Sequence, residues 1–116
     1  MSRVYVLASD RKLPGLEPLS CYRKAVEELG YPMRPFWYEL SIKRMEHKEA
    51  NLEYLRTCLE VNFSRGETAE LWSVWLSGDV NKRPPPRFRG RLSDFDQEAL
   101  EQFLSAEEIC FSITIE

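Results

Sequence analysis

Apolar and polar positions change period several times along the chain, and each change marks an element. Val4-Tyr5-Val6-Leu7-Ala8 is a β-rich run closed by Ser9-Asp10 and, soon after, Pro14-Gly15, which predicts a first strand ending in a turn. Leu19, Tyr22, Val26 and Leu29 then recur at helical spacing, with Ser20 placed to cap and Gly30 to stop a short helix. Pro32 and Pro35 force an extended connection. Beyond it, Phe36, Tyr38, Leu40 and Ile42 alternate with Trp37, Glu39, Ser41 and Lys43. A period of two becomes a single apolar face only in a strand.

The stretch 46–63 carries Leu52, Leu55, Leu59 and Phe63 on one stripe, without Pro or Gly and with charges elsewhere, and predicts the longest helix. Arg65-Gly66 closes it. Residues 71–76, Leu-Trp-Ser-Val-Trp-Leu, are apolar on both alternating sets, the pattern of a central strand covered on two sides. Gly78-Asp79 ends that run and a basic loop continues to Arg91, where Ser93 followed by Asp96 predicts the cap of a helix reaching Leu104. In 109–115 the large apolar residues point one way and Cys110, Ser112 and Thr114 the other, a last strand.

Clean alternation in two of the four strands favours a sheet roofed by helices over parallel βαβ units. The expected fold is therefore α+β: one four-stranded mixed or mostly antiparallel sheet with two to three helices mainly on one face, a ferredoxin-like arrangement being one option. All 116 residues fit a single domain, and a domain of that length buries enough surface to need no staples.

Composition narrows the setting. Aromatic residues make up 12% of the chain, which argues against disorder. Cys21, Cys58 and Cys110 are odd in number and lack C-x-x-C spacing, fitting neither a disulfide framework nor a zinc site and pointing to a reducing cytoplasm. No run resembles a secretory h-region or a membrane span. The net charge of −3 makes general affinity for nucleic acid a poor expectation, and five singly placed glycines offer no dinucleotide or phosphate loop, so no cofactor is expected.

The charge is unevenly spread. Lys82, Arg83, Arg87, Arg89 and Arg91 crowd Pro84-Pro85-Pro86 with no acid among them, and the 25 residues that follow carry seven acids and no base. Arginine forks on a proline-stiffened segment form a contact surface for carboxylates or phosphates. Pairing with Asp94, Asp96, Glu98 and Glu101 of the next helix competes with that role. A second surface is the sheet face bearing Trp37, Glu39, Ser41, Cys110 and Ser112, joined by Trp72 or Trp75, whichever set of the third strand points there. Two indoles among small polar groups suit a partner's side chains or a flat ligand, unless the short helix or a second copy of the chain covers them.

Chemistry is harder to place. His47, the single histidine, stands beside Glu46 and Glu49 in a charged helix, and no nucleophile motif accompanies it. Cys110 is the thiol to examine for reactivity. These residues point to a small cytoplasmic interaction protein without catalytic activity, contacting a protein partner through the basic loop and the Trp-bearing face. A homodimer and a bacterial toxin-antidote protein are forms of the same reading. The alternative is a small-molecule binder or minor enzyme with a pocket at Glu39, Ser41, Cys110 and Ser112.

Overall fold

A computed structural model describes residues 2–40, 42, 48–76, 84–105 and 108–116 of the chain. Among them β1 (Ser2–Ser9), β2 (Phe36–Glu39), β3 (Thr68–Leu76), β4 (Arg87–Arg91) and β5 (Ile109–Thr114) form one mixed sheet in the order β2-β1-β3-β5-β4. Helices α1 (Arg23–Leu29), α2 (Lys48–Asn62) and α3 (Gln97–Ser105) accompany it. The class is α+β. Strand β1 is antiparallel to β2 and β3, and β3 is antiparallel to β5, whereas β4 joins β5 in parallel.

The register decides the layers. Leu7 lies opposite Leu71 and Leu71 opposite Phe111, while Val6 lies opposite Trp72 and Trp72 opposite Cys110. Partners in register share a face and neighbours alternate, so the first trio projects to one side and the second to the other. On the first side the expected stripe of α2, Leu55, Leu59 and Phe63, packs with Leu100, Phe103 and Leu104 of α3. Phe111 anchors that layer between Phe95 and Phe103, both edge-on to it at 5.5 and 6.1 Å. The second side is closed by Val26 of α1 with the flanking Leu19 and Tyr31.

The expected number of strands needs correction. Among the described residues the sheet has five strands, because part of the basic loop, 87–91, is itself a strand: Arg87, Arg89 and Arg91 alternate with Phe88 and Gly90, and Phe88 finds an aromatic neighbour in Phe111 at 5.6 Å. Two of the three described helices, α2 and α3, lie on one face as expected, and the short α1 covers the other, because that face carries Val4, Val6, Ala8 and Val74 as well as Trp72. That much apolar surface must be covered. Compared with the β-α-β-β-α-β run of a ferredoxin-like domain, the chain has a helix inserted between β2 and β3 and one further strand.

Local signals explain the element ends. Gly30, at φ 70°, stops α1 and returns its N–H to the Glu27 carbonyl, a left-handed position that glycine adopts without Cβ strain. At the other end Tyr22, at φ 63°, opens α1 with no side-chain cap, so Ser20 does not serve there. The Ser93 cap is likewise displaced: α3 begins later, after a 3-10 turn at Leu92–Asp94, and Asp96 Oδ1 accepts the Ala99 N–H at 3.0 Å. Ser93 donates instead to Glu116.

Candidate interaction surface

Strand β4 ends the sheet, and its approach is set by Pro84–Pro86, which fix φ and donate no N–H. The Cys110 N–H bonds the Pro86 carbonyl at 3.0 Å and Arg87 is paired with Cys110 in a parallel ladder. In such a ladder alternate residues turn their backbone groups toward the neighbour. Pro86, Phe88 and Gly90 therefore face β5, and the N–H and C=O of Arg87 and Arg89 face outward. The opposite edge differs: β2 is screened by the segment 17–19, with Leu19 N–H on the Trp37 carbonyl and Glu39 N–H on the Glu17 carbonyl, each at 3.0 Å.

The side chains of β4 divide in the same way. Arg87, Arg89 and Arg91 share the α1 face with Cys110, Ser112 and Thr114, while Phe88 and Gly90 share the other with Phe111 and Ile113. Arg87 turns inward to the buried carboxylate of Glu70, its Nη1 donating to Oε2 at 2.5 Å. Its guanidinium lies 5.4 Å from the Trp72 ring centroid. Glu70 Oε1 also accepts the Arg34 N–H at 2.9 Å and the Trp72 indole N–H at 3.2 Å. These donors replace the water that burial takes from the carboxylate. Hydrogen bonding to Glu70, more than any other influence, raises the pKa of Arg87 above its ordinary value.

Arg91 is occupied differently. Its backbone N–H donates to Asp94 Oδ2 at 3.0 Å and its guanidinium reaches Glu116 at 3.4 Å. Ser93, and after it Arg91, hold Glu116 below the usual carboxylate range. Arg89, between them, is exposed and makes no ion pair among the described residues. On the far face, the missing side chain at Gly90 leaves a cleft of about 220 Å³ bounded by Phe88, Phe95, Ala99, Phe111 and Ile113. Phe88 is 42% exposed at its mouth.

The remaining candidates scatter. Lys82, Arg83, Ser41 and His47 lie outside the described residues. Trp72 is buried against Tyr31, the rings stacked 6.1 Å apart. Trp37 shares its face, half-buried, with the indole N–H on the Arg34 carbonyl at 2.6 Å and Arg23 over the ring at 4.9 Å. Trp75 belongs to the opposite face, where Arg3 covers its ring at 4.6 Å and donates to the Leu104 carbonyl at the end of α3. The three indoles thus do not form one patch.

Glu39 stands on β2 and Ser112 on β5, with β1 and β3 between them, a separation of about 14 Å at the usual strand spacing. The two do not line one small pocket. Cys110 is fully buried, and burial pushes its thiol up to about 12 despite the nearby Arg87 cation. A thiolate is the reactive form, and burial together with the raised pKa disfavours it here. An apolar groove of about 460 Å³ runs over α2 at Tyr54, Cys58 and Val61. No group of three or more ligating side chains among the described residues is placed to hold a metal ion, and no described helix is long and apolar enough to cross a membrane.

Arg87, Phe88, Arg89, Gly90 and Arg91 were legible as a strand only through their period of two, which the proline run and the charge obscured. The Glu70–Arg87 pair had no signal at all in sequence, since 17 positions separate its members. No known protein family, curated protein or solved structure matches the chain.

Proposed function

We propose that the protein is a non-catalytic interaction module that holds a protein partner against its basic segment, 82–91, and the exposed rim of the Trp37 face. The observation that carries this reading is Arg89, an exposed cation without an ion-pair partner among the described residues, on a strand whose flanking arginines are tied to Glu70 and Glu116. Internal pairing accounts for Arg87 and Arg91 and leaves Arg89 displayed on a rigid support. Rigidity favours binding, because little conformational freedom is lost on contact. Trp72 acts from beneath, packing under Arg87.

Three free thiols suit a reducing compartment such as the cytoplasm, and the high pKa of Cys110 supports a role without thiol catalysis. An antidote that covers a bacterial toxin is one form such a module takes. The test is capture of a partner by the immobilised full chain from the cells that express it, identified by mass spectrometry. Arg89→Glu is expected to reduce that capture at least tenfold with the melting temperature unchanged. Undiminished capture by this variant overturns the role of the segment.

A further inference from the structure

We propose that the outer edge of β4 is a docking site for an extended acidic peptide of the partner, which adds as a sixth strand beside Arg87–Arg91. The inference rests on the interaction reading above and specifies what is bound and how. Three observations converge on it. The backbone N–H and C=O of Arg87 and Arg89 face away from β5, and no described segment pairs with them. Such an edge is a template for another strand. The side chains along it are cationic on one face, with Arg89 exposed and unpaired among the described residues. The other face offers the apolar cleft of about 220 Å³ that opens where Gly90 lacks a side chain.

These features select a sequence pattern. A strand laid against β4 places alternate side chains on opposite faces, so the residue beside Arg89 meets an exposed cation, and the residue beside Gly90 enters the cleft among Phe88, Phe95 and Ala99. An alternating run of acidic and apolar residues satisfies both. A second copy of the chain fits less well: two antiparallel β4 edges centred on Arg89 would set one exposed Arg89 directly against the other, and like charges directly opposite are destabilising. The exposed Arg89 therefore disfavours this pairing with its own copy and favours an acidic guest.

The probe is a fluorescent, end-capped heptapeptide, Glu-Val-Glu-Phe-Glu-Val-Glu, titrated with the full chain and followed by anisotropy. Saturable binding is expected. It should weaken at least tenfold when alternate peptide nitrogens are methylated, at least tenfold in Arg89→Glu, and at least fivefold in Gly90→Val, which fills the cleft. In NMR hydrogen exchange the Arg87 and Arg89 amides should slow at least tenfold with peptide bound. Absence of binding, binding indifferent to methylation, unprotected amides, or equal competition by a single-stranded oligonucleotide each overturns the proposal. Gly90→Val is at a backbone angle open to any residue, and a Cβ there would meet nothing closer than Asp94 Oδ2 at 3.5 Å. The methylated peptide needs no altered protein, so a folding defect cannot mask the result. If Arg89→Glu abolishes partner capture while the heptapeptide does not bind, strand addition falls and the interaction role stands. If capture is also unaffected, both fall.

Discussion

Arg87 and Arg89 lie two positions apart on the same face of the same strand, and their roles differ because of what surrounds them. Arg87 neutralises a carboxylate that is 3% exposed, and removing it strips Glu70 of its nearest cation. Arg34 Nε stays 3.6 Å from the same carboxylate, so the loss is below the roughly 3 kcal/mol of a buried charge left unpaired, and Arg87→Ala should lower the melting temperature by roughly 5 °C in a domain of this size. Arg89→Ala should move it by less than about 2 °C, as is usual for an exposed side chain without structural partners. Thermal unfolding of the two variants separates support from display. An equal drop in both would show that Arg89 also holds the fold.

Glu67 supplies a pH signature. It receives Arg11 through two guanidinium bonds at 2.7 and 2.8 Å and the Ser64 N–H at 2.6 Å, and these hold its carboxyl at about 2. A carboxyl depressed in the folded state contributes stability above its unfolded value of roughly 4.3 and loses it as pH falls toward the folded one. Glu67→Gln should therefore be less stable than the parent above pH about 5, and the gap should close as pH approaches 2. Urea titrations across that range check it. A gap that persists at pH 2 would place the effect in packing instead.

Among the elements, α3 shows how a cap is chosen. Ser93 and Asp96 both stand ahead of it, and residue type alone favours either. The 3-10 turn at Leu92–Asp94 moves the helix start onward, which gives the cap to Asp96 and leaves Ser93 to Glu116. Asp96→Ala should cost about 1 kcal/mol and Ser93→Ala less, as measured by denaturant midpoints. The order would reverse if Ser93 were the cap. Helix α1 is a harder case. With seven residues it is too short to persist alone, and it stands because Val26 is buried over the second sheet face.

That dependence runs both ways and governs the architecture. Two apolar layers share one sheet, and the second, with Trp72 at its centre, is closed by little more than α1 and the residues on either side of it. Placing a charge there, as in Val26→Asp, should lift α1 and wet Trp72 without dispersing the layer around Phe103 and Phe111. The expected signs are a red-shifted tryptophan emission and easier acrylamide quenching, with most far-ultraviolet dichroism retained. Complete loss of structure would instead make the two layers one cooperative unit.

Periodicity determined much of this protein directly. The alternation at Phe36 and Tyr38, though β2 ends at Glu39 short of Leu40 and Ile42, the stripe of α2, the doubly covered β3 and the one-sided set of large residues in β5 follow from which side chains must leave water, a local property of spacing. Tertiary structure decided the rest, because the deciding contacts join distant positions. Whether the Trp37 face was bare depended on where a seven-residue helix would settle. Whether 87–91 was loop or strand depended on β5 arriving to accept its backbone. Which arginine stayed available depended on Glu70 and Glu116, carboxylates brought beside β4 only once the sheet had formed.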